Sequence, residues 1–185
     1  MSNEIIDNAT VRNILSRQSI REYKKKMLSG NEIETLMACA LMAPSAKNEQ
    51  PCHVRFITNA AMLEQMHKDF RNIVGWGTPA YTKSDVNPFY HNAPVFAAIF
   101  SEGDKSVDGG IMVENICIGA KSLGLGTCVI GCIRAMFDDE EVGPRWKKLI
   151  DIPEDYKFLI GVAIGYPDEN PPVKERDSSK IKVIR

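Results

Sequence analysis

Three features of the sequence predict an α/β or α+β fold, a mixed sheet packed by helices. Runs of strand length are interspersed with helical periodicities along the chain. The connections between strands differ in length, so the strands need not all run one way and a mixed sheet is expected, with an α/β arrangement also open on pattern alone. One helix, Asp108–Leu123, has only Asp108, Glu114, Asn115, Lys121 and Ser122 as polar positions, so it must be covered on several sides. The 185 residues suit a single domain, 1–185, ending in an arm over about 165–185.

The elements follow in order. A first helix is expected over Asn8–Leu15, with Ile5, Val11, Ile14 and Leu15 on its apolar side. A second begins after Ser29, because Ser29 and Glu32 stand at capping-box spacing. It carries Ile33, Leu36, Met37, Ala40 and Leu41 on one face, and Pro44 stops it. His53–Thr58 alternates Val54 and Phe56 with polar partners, a short strand. Ala61–Phe70 reads as an amphipathic helix through Leu63, Met66 and Phe70. From Arg71 to Asn92 the periodicity breaks, and Trp76, Tyr81, Phe89 and Tyr90 cluster there; such a segment reads as a functional loop or aromatic lid, or contributes some of these rings to the core. Pro94–Phe100 is a continuous apolar strand. The Asp108–Leu123 helix stops at Gly124 and in so small a domain suits the centre of a dimer. Thr127–Ile130 and Lys157–Ile164 are further strands. The Pro- and charge-rich arm cannot form its own core and must lie on something else, such as a partner subunit.

Bulk properties narrow the function. A net charge of −1 provides no global field for nucleic acid or an anionic membrane. No apolar run of about 18 residues is present, and the first seven residues lack the basic start of a signal peptide. The five cysteines, Cys39, Cys52, Cys117, Cys128 and Cys132, are odd in number, with no Cys-x-x-Cys pair, and suit free thiols in a reducing cytoplasm. His53, His67 and His91 are not spaced as metal ligands.

Four constellations carry possible chemistry. Arg17-x-Ser19-x-Arg21 offers two guanidiniums and a hydroxyl to an anion such as phosphate. Pro44–Pro51 holds small residues, Ser45 and Ala46, beside Asn48 and Gln50, whose amides both donate and accept. Leu123–Gly131 places a glycine at a strand end, where a backbone N–H can approach a planar ligand; it is not a Rossmann fingerprint, which needs Gly-x-Gly-x-x-Gly opening a helix. Lys174-x-Arg176, with Lys180, follows a Pro-Pro pair. Each has a bland counterpart: surface arginines at a helix end, a polar interhelical loop, a glycine cap before a buried strand, and tail charges.

Taken together and in order, these motifs resemble the FMN-dependent nitroreductase family over roughly Ile5–Lys180. The resemblance rests on Arg-x-Ser-x-Arg, Ala-Pro-Ser-x-x-Asn-x-Gln-Pro, Asn-Ala-Pro-Val at Asn92–Val95, Gly-Leu-Gly-Thr after a buried helix, and Gly-Tyr-Pro leading to Lys174 and Arg176. It implies an α+β fold with a central mixed or antiparallel sheet and an intertwined homodimer holding FMN at the subunit interface. By matching position, Arg17, Gln18, Ser19 and Arg21 stand where the family binds the FMN phosphate and pyrimidine edge, and Lys174 and Arg176 where the C-terminal segment reaches the phosphate. Pro44, Ser45, Ala46, Asn48 and Gln50 stand where the other subunit meets FMN, and Ile130 and Gly131 where backbone faces the ring. Gln18 departs from the family's usual Arg or His. Cys52 stands where an aromatic, commonly Trp, is usual, and Arg71–Asn92 has no clear counterpart.

The resemblance further implies hydride transfer from NADH or NADPH through the flavin to a nitroaromatic, a quinone or another electron-poor small molecule, in a ping-pong cycle. No side-chain acid or base is required, and Arg17, Arg21 and the Gly131 N–H would stabilise negative charge on the ring. Flavin destruction or dehalogenation on the same scaffold, and FMN binding for redox sensing without turnover, are the competing expectations.

Overall fold

The computed structural model describes residues 5–77 and 88–185. Four strands form one sheet: β1 (Cys52–Ile57), β2 (Val95–Ser101), β3 (Gly126–Ile130) and β4 (Lys157–Gly165). Their spatial order is β1-β2-β4-β3, and every neighbouring pair is antiparallel. The antiparallel option is therefore the observed one. The parallel component of the expected mixed sheet is reduced to an isolated bridge between Ser19 and Thr127.

Helices cover both faces. β2 is buried along its whole length. Its Phe96, Ala98 and Phe100 point into a core shared with α3 (Ala60–Val74), α5 (Arg134–Phe137) and α6 (Val142–Leu149). Val95, Ala97 and Ile99 point the other way, onto α2 (Gly30–Leu41) and α4 (Ser106–Ser122). A strand covered on both faces reads as an unbroken apolar run, which is why Pro94–Phe100 lacks alternation. Gly161 of β4 lies beneath the Phe96 ring, where a Cβ would come within 2.2 Å of Cζ.

The capping box forms as expected: Glu32 N–H donates to Ser29 Oγ at 3.3 Å, and Ser29 N–H donates to Glu32 Oε2 at 2.7 Å. α1 (Ala9–Ser16) is capped by Asn8, whose side chain accepts from the Val11 N–H at 3.0 Å. Its expected apolar side is not buried, and Ile14 and Leu15 remain exposed. α3 continues past Phe70 to Val74, because Arg71 is buried and donates to the Trp76 carbonyl while its guanidinium lies 5.5 Å from the Trp76 ring. Phe89 and Tyr90 belong to the core, not to a lid; Phe89 packs edge-on against Phe70, Tyr90 and Phe96. Trp76 is exposed, and Tyr81 lies outside the described residues.

Candidate functional site

The Arg17–Arg21 segment leaves α1 in extended conformation and runs beside β3. Ile20 N–H donates to the Thr127 carbonyl at 2.9 Å, next to the Ser19–Thr127 bridge. This close approach is possible because position 126 is glycine: a Cβ there would meet Ile20 Cγ1 at 2.7 Å. The bridge is parallel, so the segment travels in the same sense as β3, which ends at Ile130 and Gly131. The base of the C-terminal arm locks the same segment from the other side. Lys24 N–H donates to the Tyr166 carbonyl and Asp168 N–H to the Glu22 carbonyl, both at 2.9 Å, and Arg21 N–H donates to the Glu169 carboxylate. Tyr23 is buried, and its hydroxyl donates to the Ile20 carbonyl at 2.6 Å; burial raises its pKa well above the ordinary value.

The electrostatics at this corner are one-sided. Arg17 Nη1 is buried and has no hydrogen-bond partner among the described residues. A buried charged donor without an acceptor costs several kcal/mol unless something else supplies one. Arg17 and Arg21 both pull the Cys128 thiol toward ionisation, and Arg17 does the same to Cys117, yet burial dominates and raises both. Burial also pushes Cys132 up to about 11. Burial thus favours the protonated form of each thiol, the weaker nucleophile.

Gly131 contrasts with Gly126. It is exposed, its φ lies outside the left-handed region, and an added Cβ would come no closer than 3.5 Å, to Ile160 Cδ1. Nothing among the described residues requires a glycine there. Ile130 beside it is buried.

The second group, Pro44–Pro51, folds as a self-contained loop. A single 3-10 turn covers Ala46–Asn48, and Lys47, Asn48 and Gln50 all adopt left-handed φ of 50–56°. Asn tolerates that conformation well, Lys and Gln less so. The Gln50 N–H donates to Ser45 Oγ at 2.9 Å and closes the loop. Lys105, which precedes α4, pairs with Glu49 at 3.7 Å. The Asn48 and Gln50 side chains are exposed.

The structure brings Arg17, Gln18, Ser19, Arg21, Ile130 and Gly131 to one side of the sheet. It does not bring Pro44, Ser45, Ala46, Asn48 and Gln50 to them. The loop feeds Cys52 at the outer edge of β1, whereas Ser19 flanks the outer edge of β3. The two also sit at opposite ends of the strands, since Cys52 shares a row with Ser101 and Lys157, and Thr127 with Ile164 and Val95. At strand spacings of about 4.8 Å and about 3.3 Å per residue, Ser19 and Cys52 are roughly 25 Å apart, whereas Ile130, in the row of Gly161, Ala98 and Arg55, lies toward the Cys52 end of the strands and is separated from it mainly by three strand spacings. Lys174 and Arg176 are exposed and make no hydrogen bond or ion pair among the described residues.

Sequence reasoning did not single out Glu169 or Asp108. Glu169 closes on Arg21 through pairing between residues 148 positions apart, which no local pattern signals. Asp108, in the first turn of α4, borders a cleft of about 190 Å³ against the Pro44–Cys52 loop.

A model of the family described as "Nitroreductase family" matches residues 14–166. The NADPH-flavin oxidoreductase of Vibrio harveyi is 26% identical over 182 residues, which cover 91% of this chain and 70% of that protein. Among solved structures, an FMN-dependent nitroreductase from Clostridium difficile R20291 superposes with a TM-score of 0.83 at 28% identity, covering 97% of this chain and 100% of that one. A nitroreductase with bound FMN from Desulfitobacterium hafniense DCB-2 gives a TM-score of 0.89 at 24% identity over the same shares and supports the fold. No helix among the described residues is long and apolar enough to cross a membrane.

Proposed function

The chain belongs to the nitroreductase family, and from that premise we propose that it is an FMN-dependent oxidoreductase carrying hydride from NAD(P)H to an electron-poor small molecule such as a nitroaromatic or a quinone. The observation that carries the reading is Arg17. Its buried Nη1 has no acceptor among the described residues, in the motif where an anion is expected. A phosphate oxygen is the acceptor that would satisfy it.

The residues present fit FMN. Arg17, Ser19 and Arg21 would hold the phosphate and the pyrimidine edge, with Gln18 beside them. Lys174 and Arg176 would close over the phosphate from the arm, where both side chains are exposed and unpaired among the described residues. The Gly131 N–H would face the ring, at a position where no neighbouring atom demands glycine. Bound FMN would supply the hydride-accepting ring, with NAD(P)H and the acceptor using one face in turn. The chain's own part is to bind, orient and place positive charge: two guanidiniums and a backbone N–H near the ring favour its reduced, anionic form. No side chain is assigned as acid or base.

A second copy completes the site in this reading. Pro44, Ser45, Ala46, Asn48 and Gln50 lead into β1, the edge strand opposite β3, with β2 and β4 between them, which supports their meeting FMN from a partner subunit. A homodimer with two such sites follows.

The test is an absorbance spectrum of the purified protein, followed by anaerobic addition of NADH or NADPH. Flavin bands that bleach support the reading. Bands that persist favour FMN binding without turnover, and flavin that disappears only with oxygen favours a destructive reaction. A colourless protein that ignores added FMN, or an Arg17→Ala variant with unchanged FMN affinity, sinks the proposal.

A further inference from the structure

The cleft beside the Pro44–Cys52 loop has a charge arrangement that selects ligands. It holds about 190 Å³ and is bounded by Leu41, Pro44, Cys52, Asp108 and Met112, with Ser45 at its rim. Its walls are mainly apolar. Asp108 is half-buried and makes no hydrogen bond or ion pair among the described residues. Lys105, three positions before it in the chain, is engaged with Glu49 at 3.7 Å. His53 also lines the cleft, and its ring packs edge-on against Tyr156 at 4.9 Å. Burial and the Asp108 carboxylate push the Cys52 thiol up to about 11, so it adds no charge at neutral pH. The position of Asp108 in the first turn of α4 is favourable for a carboxylate. That accounts for an acid there, but not for an apolar chamber open beside it.

We propose that this cleft binds one small aromatic ring bearing a cationic or N–H donor group, with Asp108 as the counter-charge, and that it disfavours rings bearing a carboxylate. The volume suits a single substituted ring and not a fused tricycle. The apolar walls would take the ring, and the unpaired carboxylate would take the donor. Cys52 matters through its size, because a larger side chain at 52 would project into the chamber. The further step, that such a ring is the preferred acceptor of the flavin reaction, rests on the function proposed above. So does the cleft's place beside a partner's FMN, because Pro44, Ser45 and Gln50 line it; the charge ranking itself is read without turnover.

Calorimetric titration of the purified full-length protein with benzylamine, benzamide and benzoate, one ring with three charges, separates the two. Benzylammonium is expected to bind about ten-fold more tightly than benzoate, with benzamide between, as an unscreened charge in a partly buried cleft requires. Asp108→Asn should bring the three within about three-fold, and raised salt should compress the same spread in the unaltered protein. Cys52→Leu should weaken all three together. Benzoate binding as tightly as benzylammonium overturns the proposal, as does a ranking untouched by Asp108→Asn. Equal affinity in Cys52→Leu would place the ligand elsewhere and overturn it too. Acceptor-dependent NAD(P)H oxidation with the corresponding nitro compounds is read separately. Failure of turnover with the binding order intact would count against the flavin reading alone.

Discussion

On one face of the sheet, α3, α5 and α6 close over Phe70, Phe100, Phe137 and Phe158, none more than 1% exposed. On the other, α1, α2 and α4 leave Ile14, Leu15, Met37, Leu41 and Met42 between 45% and 78% exposed. Both faces belong to the same strands, and β2 contributes alternate residues to each. The sealed face also satisfies its polar groups. Asp69 accepts from Trp146 Nε1 at 2.8 Å, from Gln65 Nε2 at 3.0 Å and from Arg145, tying α3 to α6. Single exposed apolar residues such as Leu149 are ordinary. A set of them along two helices, beside a groove lined by Thr10, Ala38, Met42 and Ile118, is a surface suited to a second chain. The proposed dimer and the sealed core therefore make opposite claims about what a substitution does.

The largest effect is expected in the sealed face. Phe158 stacks on Phe137 with ring centroids 5.0 Å apart and meets Phe100 edge-on at 5.5 Å. Phe158→Ala should cost about 3–5 kcal/mol, read as a lowered denaturation midpoint with unchanged m-value. An unchanged midpoint would mean that this face is not the main core. Acid should find the same face next. Burial lowers the pKa of His67, with Arg71 adding to it, and of His91. The unfolded chain then binds protons that the folded one refuses, so stability should fall as pH drops through about 6.5. The slope should diminish in His67→Gln, whose Nδ1 now accepts from the Phe89 N–H at 3.4 Å. An unaltered slope would place the proton uptake elsewhere.

The open face should respond differently. Ser29→Ala removes one cap of α2 and should cost about 1 kcal/mol, measured by thermal unfolding at fixed protein concentration. Met42→Glu should change the unfolding of an isolated chain by about 0.5 kcal/mol or less, since the side chain is in water. It should shift the assembly toward monomer, read by light scattering across a dilution series. If Met42→Glu unfolds the chain and leaves assembly untouched, the contrast between the faces is wrong.

The sequence disclosed these faces unequally, for physical reasons. α2 was legible because a capping box and a helical apolar period are local signals, and β2 because a doubly covered strand is an apolar run. α5 and α6 were not anticipated. α5 is only four residues long, too short for periodicity, and in α6 Pro144 in the first turn looks like a breaker although it is tolerated there. α3 was cut short at Phe70 because a buried Arg71 is invisible to an apolar pattern; its burial depends on the Trp76 carbonyl and ring. For Phe89 and Tyr90 the sequence leaves lid and core both open, because aromatic content does not say which side of a chain is covered. In the site, the residue types at 17, 19 and 21 were legible, but their pairing with Thr127 and Glu169 was not, since it joins segments more than 100 residues apart. The separation of the Pro44–Gln50 loop from that corner follows from strand order, which local patterns do not encode.

Gly131→Ala should have the smallest effect on the fold and is the sharpest test of the corner. Its backbone lies outside the left-handed region and the new Cβ would meet only Ile160 Cδ1, at ordinary contact distance. On the chain's own packing, alanine should be neutral or stabilising by about 0.4–1 kcal/mol, because it narrows the unfolded ensemble. Gly126→Ala provides the control, since its Cβ would collide with Ile20 and should loosen the Arg17–Arg21 segment. If Gly131 is glycine so that a flat ring can approach its N–H, alanine should weaken FMN binding or shift the flavin's absorbance or potential while the melting temperature of the flavin-free protein holds or rises. Loss of stability together with unchanged flavin properties would mean that the glycine serves the fold, and the ring-facing role at the end of β3 would be lost.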